Sequence, residues 1–197
     1  QVELTGNELY RCGSATTPSD PSITNGRDIQ VSSSQAVVIR HNRLHGNGTY
    51  GCDDITKTAC LSGNHGIFSD GNCELTIEKN QIFDRWSLGV FVEKGDCTAD
   101  SVIAHNQFWS NGYVGAAPKM GGDVKISNTA TQTSPRWKLL VHSNTMTGSR
   151  LGIQAFAGNV PAPLQDVYLF NNVVTRSGTG VYFNAATNGS FGSNYIF

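Results

Sequence analysis

The side chains able to move protons are scattered along the chain. The acids that stand out are Asp53, Asp54, Asp70, Asp84, Glu93, Asp96, Asp100 and Asp123. Hydrolysis of a glycosidic bond needs two carboxyl groups facing each other across it, and no spacing here marks such a pair. Asp96 and Asp100 read as members of a solvated turn beside Cys97. Lys119, Lys125, Arg136, Arg150 and His142 are the candidate bases, with no motif among them. No zinc-type cluster, phosphate-binding loop, nucleophile elbow or calcium-binding nonapeptide occurs, so no metal site is expected. His41 and His105 each precede an asparagine that recurs, which suggests a structural place for them.

That asparagine belongs to a repeat. Leu75-Thr-Ile-Glu-Lys-Asn-Gln-Ile82 reads apolar, any, apolar, any, any, Asn, any, apolar. The phrase returns at residues 2–9, 37–44, 101–108, 139–146, 167–174 and 189–196. The repeated residues are Asn7, Asn42, Asn80, Asn106, Asn144, Asn172 and Asn194. The alternating apolar positions predict a strand in each copy. A second strand follows, led by glycine at Gly66, Gly89, Gly152 and Gly180, by Asp123 after Gly122, and reaching Ile29 in the first unit. One unit cannot bury its own apolar side, so the units must stack as turns of a coil, about 4.8 Å apart. The Asn falls where the strand bends, and its amide can both donate and accept there, so the seven are expected to form a structural ladder.

On this Asn and Gly-apolar pattern, which covers nearly the whole chain, the sequence resembles the right-handed parallel β-helix repeat proteins. That group includes pectate lyases, alginate epimerases and phage tailspikes. The resemblance implies an all-β fold, a single parallel β-helix with an internal Asn ladder. One domain over residues 1–197 is expected, with insertions near 12–28, 45–65, 110–121 and 127–136. The first insertion either folds under the first turn or lies on the surface. Fold alone does not set activity. Polysaccharide lyases of this fold typically use a Lys, Arg or His base, often with calcium nearby. The resemblance therefore implies calcium only on a lyase reading, and otherwise no cofactor.

Strand alternation sorts the glycine-led strands. Ile67, Val90, Val124, Ile153 and Val181 point in; Phe68, Phe91, Lys125, Gln154 and Tyr182 point out, followed by Glu93, Phe156 and Asn184. Phe91, Phe156, Tyr182 and Lys125 thus form a candidate carbohydrate-binding stripe, or else a stack of rings between turns. On the Asn-bearing strands the outward residues are Val38, Thr76, Val102, Leu140 and Tyr168. That apolar face calls for a cover, from the insertions or from another chain.

Cys73 and Cys97 occupy nearly equivalent places on neighbouring turns, which predicts a disulfide, and a Cys52–Cys60 bridge would pin the second insertion. Cys12 is left over: free, competing for Cys52 or Cys60, or bonded to another chain. The cysteines, with glycosylation sequons at Asn47 and Asn188, point to a secreted or cell-surface protein. A formal charge of −1 gives no reason to expect nucleic acid, and no apolar run is long enough to span a membrane. Val2, Leu4 and Leu9 at one end, and Phe191, Ile196 and Phe197 at the other, leave apolar cross-sections with unpaired strand edges. Either the chain is a piece of a longer β-helix or its ends stack on other copies. The expectation is an extracellular structural subunit that assembles end to end into a filament. The alternatives are a lyase or epimerase acting on acidic polysaccharide, and a sugar-binding adhesin or tailspike-like module.

Overall fold

In the computed structural model the described residues are 1–10, 27–32, 35–46, 65–71, 73–85, 87–94, 99–112, 121–128, 138–156, 165–184 and 188–197. The first turn contains β1 (Val2–Thr5), β2 (Glu8–Tyr10) and β3 (Arg27–Ser32). The second contains β4 (Gln35–Arg40), β5 (Arg43–His45) and β6 (His65–Asp70), and the third β7 (Cys73–Glu78), β8 (Gln81–Phe83) and β9 (Leu88–Lys94). The fourth contains β10 (Ser101–Ala104), β11 (Gln107–Trp109) and β12 (Gly122–Asn128). The fifth contains β13 (Leu139–His142), β14 (Thr145–Thr147) and β15 (Leu151–Phe156). The sixth contains β16 (Gln165–Phe170), β17 (Val173–Thr175) and β18 (Thr179–Asn184), followed by β19 (Asn188–Gly192) and β20 (Tyr195–Ile196).

Each strand pairs in parallel with its equivalent one turn away. Sheet A is β1-β4-β7-β10-β13-β16-β19, sheet B is β2-β5-β8-β11-β14-β17-β20, and sheet C is β3-β6-β9-β12-β15-β18. The parallel β-helix expected from the repeat is the fold. It has three strands per turn rather than two, because the two or three residues after each ladder Asn form the strands of sheet B. Three residues are too few for alternation to declare a strand. The core is the set of inward columns, such as Val37–Leu75 and Ile39–Ile77–Ile103–Val141–Leu169 of sheet A, buried throughout.

The bend between sheets A and B is where the backbone needs help. The residue before each ladder Asn has a left-handed φ, at Gly6, His41, Lys79, His105, Ser143, Asn171 and Ser193. For a residue with a side chain that conformation costs on the order of 1 kcal/mol. The rotation leaves the Asn N–H without a carbonyl, and the Oδ1 of the next Asn accepts it. Asn80 N and Asn80 Nδ2 both donate to Asn106 Oδ1, at 2.9 and 3.0 Å. The same double contact joins Asn7 to Asn42, Asn42 to Asn80, Asn106 to Asn144, Asn144 to Asn172 and Asn172 to Asn194. The second Nδ2 hydrogen goes to a carbonyl one turn back, as from Asn106 to Ile77 O at 2.9 Å. Every hydrogen of an inner amide is therefore used.

A second, shorter polar column fills the bend between sheets B and C. Left-handed Asp84, Ser110, Gly148 and Arg176 each precede a polar residue, Arg85, Asn111, Ser149 and Ser177. Arg85 N donates to Asn111 Oδ1 at 3.0 Å, and Asn111 N to Ser149 Oγ at 3.1 Å. The adjoining corner of sheet C is tight: a Cβ on Gly89 would lie 2.7 Å from Asp123 O and 2.9 Å from Phe108 Cδ1. Two carboxylates occupy this glycine column. Asp28 Oδ2 pairs with Arg85 Nη1 at 2.9 Å, both side chains fully buried. Asp123 Oδ1 accepts from Asn111 Nδ2 at 2.9 Å and Ser149 Oγ at 2.5 Å.

Most of the four expected insertions lies outside the described residues, although Arg27, Asp28, His45, His65, Ser127 and Asn128 at their margins belong to strands. The cysteine pairings lie outside as well: Cys12, Cys52, Cys60 and Cys97 are not described, and of Cys73 only its place in β7 is.

Both bends have consequences for stability that unfolding can measure. Asn106→Ala removes the acceptor for two Asn80 donors and the donor to Ile77 O in a dry interior. Urea unfolding is expected to show a loss on the order of 3–5 kcal/mol. Asn194→Ala, at a half-exposed rung where water can substitute, is expected to lose on the order of 1 kcal/mol. Burial pushes the Asp123 carboxyl up to about 7, against the pull of Ser149 and Asn111. The folded state thus holds its proton more tightly than the unfolded chain, whose value is near 3.8. The stability this confers is complete below about pH 4 and is lost as pH rises through about 7. Asp123→Asn is expected to abolish that slope in unfolding followed from pH 4 to 8. At pH 8 it is expected to stabilise by on the order of 1–3 kcal/mol, because the new amide gives up part of the gain.

Candidate functional site

Among the described residues, acids, bases and rings gather on the outward columns of sheet C. The pairing register lines up Gln30, Phe68, Phe91, Lys125, Gln154 and Tyr182 on successive rungs. The next outward column is Ser32, Asp70, Glu93 and Ser127, with Phe156 and Asn184 at its following positions. The expected alternation holds here, but outward does not mean wet. Phe68 and His65 are each 6% exposed and Gln154 4%, while Tyr182 is 42% exposed. The side chains of Phe156 and Asn184 lie outside the described residues.

Cations cap the rings of this column. The Arg27 guanidinium carbon sits 3.9 Å from the Phe68 centroid, and Lys125 Nζ sits 4.8 Å from that of Phe91. The two phenyl rings are 5.3 Å apart and tilted at 56°. His65 presses an edge on Phe91, at 5.4 Å and 80°. Lys125 thus covers one face of Phe91, and among the described side chains of the stripe Tyr182 is the exposed ring.

Charge in this cluster is finely opposed. Burial raises the Glu93 carboxyl, and Asp70 on the neighbouring rung raises it further, while Lys125 and Arg27 pull it down. Burial lowers the Lys125 ammonium, against the pull of Glu93. Burial, then Arg27, Lys125 and Arg85, push His65 down to about 3, so its ring is neutral at physiological pH. Its Nδ1 is buried and has no hydrogen-bond partner among the described residues, and neither has Gln154 Oε1. Burial thus disfavours the charged form of both the carboxyl and the amine, while each favours the charged form of the other.

Among the described residues the other candidate bases, His142 and Arg150, are not brought here. His142 lies on sheet A, stacked on Phe170 at 4.8 Å and 9°, with His105 at its edge, and Arg150 lies at the corner leading to sheet C. His41 and His105 are exposed at the A–B bend, as their place before the ladder suggested. Asp53, Asp54, Asp96, Lys119, Arg136 and the sequon residue Asn47 lie outside the described residues, as does the side chain of Asn188. Val38, Thr76, Val102, Leu140 and Tyr168 line the outer face of sheet A and are half-buried. Among the described residues no group of three or more His, Cys, Asp or Glu could hold a metal ion.

Two features escaped the sequence reading. One is the second polar column, Arg85, Asn111, Ser149 and Ser177, each five residues after a ladder Asn, a spacing that was there to be counted. The other is the stack Tyr10, His45, Phe83 and Trp109 on sheet B, with ring spacings of 4.8, 4.8 and 4.0 Å.

A family model described as "Right handed beta helix region" matches residues 1–131. No curated protein and no solved structure matches the chain. With three in-register parallel sheets and an unbroken Asn ladder, the chain belongs to the right-handed β-helix family.

Proposed function

We propose that this β-helix is a carbohydrate-active protein, a lyase or epimerase of acidic polysaccharide, working on the outer face of sheet C. The observation that carries the reading is the gathering of Asp70, Glu93 and Lys125 on two adjacent outward columns of sheet C, with Arg27 over Phe68, all half-buried around Phe68 and Phe91. Arg27 supplies positive charge for a uronate carboxylate. In its neutral form Lys125 takes the proton beside that carboxylate. Protonated Glu93 gives one to the departing glycosidic oxygen, so a carbon–oxygen bond breaks and a carbon–carbon double bond forms. Tyr182, exposed two rungs beyond Lys125, is the ring on which a neighbouring sugar can rest.

Exposed apolar side chains on the outermost described rungs support a second reading, assembly with further copies. Tyr195, Ile196 and Phe197 are 62%, 46% and 79% exposed, and Val2 at the opposite end is 51% exposed. Further turns of a longer polypeptide would cover the same surfaces, so the reading concerns this 197-residue chain itself. Both readings go with an extracellular or cell-surface protein.

The enzymatic reading predicts that one or more uronic acid polymers yield an unsaturated product seen by ultraviolet absorbance, or an epimerised one seen by proton NMR. Lys125→Ala and Glu93→Gln are then expected to lower turnover about 100-fold or more. Silence across uronate polymers, with no binding, would sink it. The assembly reading predicts concentration-dependent light scattering and rods in electron micrographs, and a monodisperse monomer at high concentration would end it.

A further inference from the structure

We propose that Phe91, braced by His65, is a positioning residue that sets how readily Lys125 gives up its proton, rather than a platform for sugar. The inference rests on the acid–base reading of this face for its functional meaning, but not for its test.

Lys125 and Phe91 are direct partners across β9 and β12, one rung apart on the same outward column. The ammonium nitrogen lies 4.8 Å from the ring centroid, within the range where the negative face of an aromatic ring attracts a cation. The ring cannot drift away easily. Phe68 lies against it at 5.3 Å, and the His65 edge meets it at 80°. His65 braces the ring without disturbing the charge beside it, being 6% exposed and neutral, so it adds no repulsion toward the lysine.

The ionisable groups around Lys125 come from three strands. Glu93 on β9 favours the ammonium. Asp70 on β6 acts on Glu93, and Arg27 on β3 acts on Glu93 and His65. Burial opposes the charge. The phenyl face is a further stabiliser, and it differs from the carboxylates in one respect. A ring does not titrate, so its hold on the ammonium is constant across the pH range in which Glu93 changes charge. Removing the ring therefore moves the lysine without adding or removing a titrating group.

The test follows the Lys125 ε-methylene by NMR in lysine-labelled protein through a pH titration, the signal being assigned by its loss in Lys125→Met. Phe91→Leu is expected to lower the lysine midpoint by roughly half a pH unit to one and a half. Phe91→Trp, with the stronger aromatic face, is expected to hold or raise it. Tyr182→Leu, two rungs away, is expected to leave it unchanged. Amide dispersion in the same samples reports whether each variant is folded. A midpoint that stays put in folded Phe91→Leu, or that rises there, overturns the proposal, as does a fall in Phe91→Trp. Because the titration needs no substrate, shifted midpoints without any polysaccharide turnover would sink the enzymatic reading and leave this inference standing. Turnover with unmoved midpoints would do the reverse.

Discussion

A primary amide supplies two hydrogens and an oxygen able to accept twice, and the bend between sheets A and B consumes all of it. The inner ladder residues donate three times, through N and both Nδ2 hydrogens, and accept twice at Oδ1. Aspartate would lack the donors and leucine would lack everything, so the bend admits few substitutes. This matters because the bend is also where left-handed residues such as His41, Lys79 and His105 hold an unfavourable conformation. The saturated amides, together with backbone bonds such as Lys79 N to Ala104 O and Gln107 N to Asn80 O, hold that conformation in place. Register follows. Once the asparagines are stacked, the strand residues of a turn lie over their equivalents, with one slip between β16 and β19 at Gln165, and columns rather than single residues become the units of packing.

The corner leading into sheet C works the other way, by exclusion. Its glycines leave no room for a Cβ between turns: at Gly66 one would lie 2.7 Å from Gly89 O. The exceptions are Asp28 and Asp123, which fit because the facing bend offers Arg85 to one, and Asn111 with Ser149 to the other. Burying a carboxylate so deeply is a poor way to gain stability, since removing charge from water offsets most of what the partners return. These two residues are better understood as fixing which turn packs on which. The Arg85 guanidinium reaches the carbonyls of His45, Gly46 and His65 and so ties the second turn to the third.

How much of this was legible in the sequence depended on period. Ile77, Asn80 and Ile82 repeat in a phrase long enough to show alternation, so the ladder, sheet A and the inward residues of sheet C could be read off the chain. Phe108 and Met146 lie in strands of three residues, below the length at which alternation speaks, and sheet B went unseen. On sheet C the direction of each side chain was legible but its company was not. That Phe91 points outward follows from the odd–even rule; that Lys125 lies over it depends on register between turns 34 residues apart in sequence. The shifts of Glu93 and Lys125 come from burial, which alternation alone does not reveal.

Stacking in register also limits which side chains can share a column. Equivalent side chains lie about 4.8 Å apart, and at that distance two like charges near a protein surface repel by roughly 3 kcal/mol. A column of charges is therefore tolerable only if signs alternate, as Arg40 over Glu78 does on sheet A, with Glu3 reaching Arg40 from the neighbouring outward column. The outer columns of sheet B solve the problem with rings and hydroxyls, Phe83 on Trp109 and Thr147 on Thr175. Asp70 and Glu93 break the rule: two carboxyl groups share one column on consecutive rungs, and Glu93 holds its proton longer partly for that reason. A stacking scaffold has every reason to avoid that arrangement. Among the described residues, its presence beside a lysine whose burial weakens its own charge distinguishes this face from the outward columns of sheets A and B.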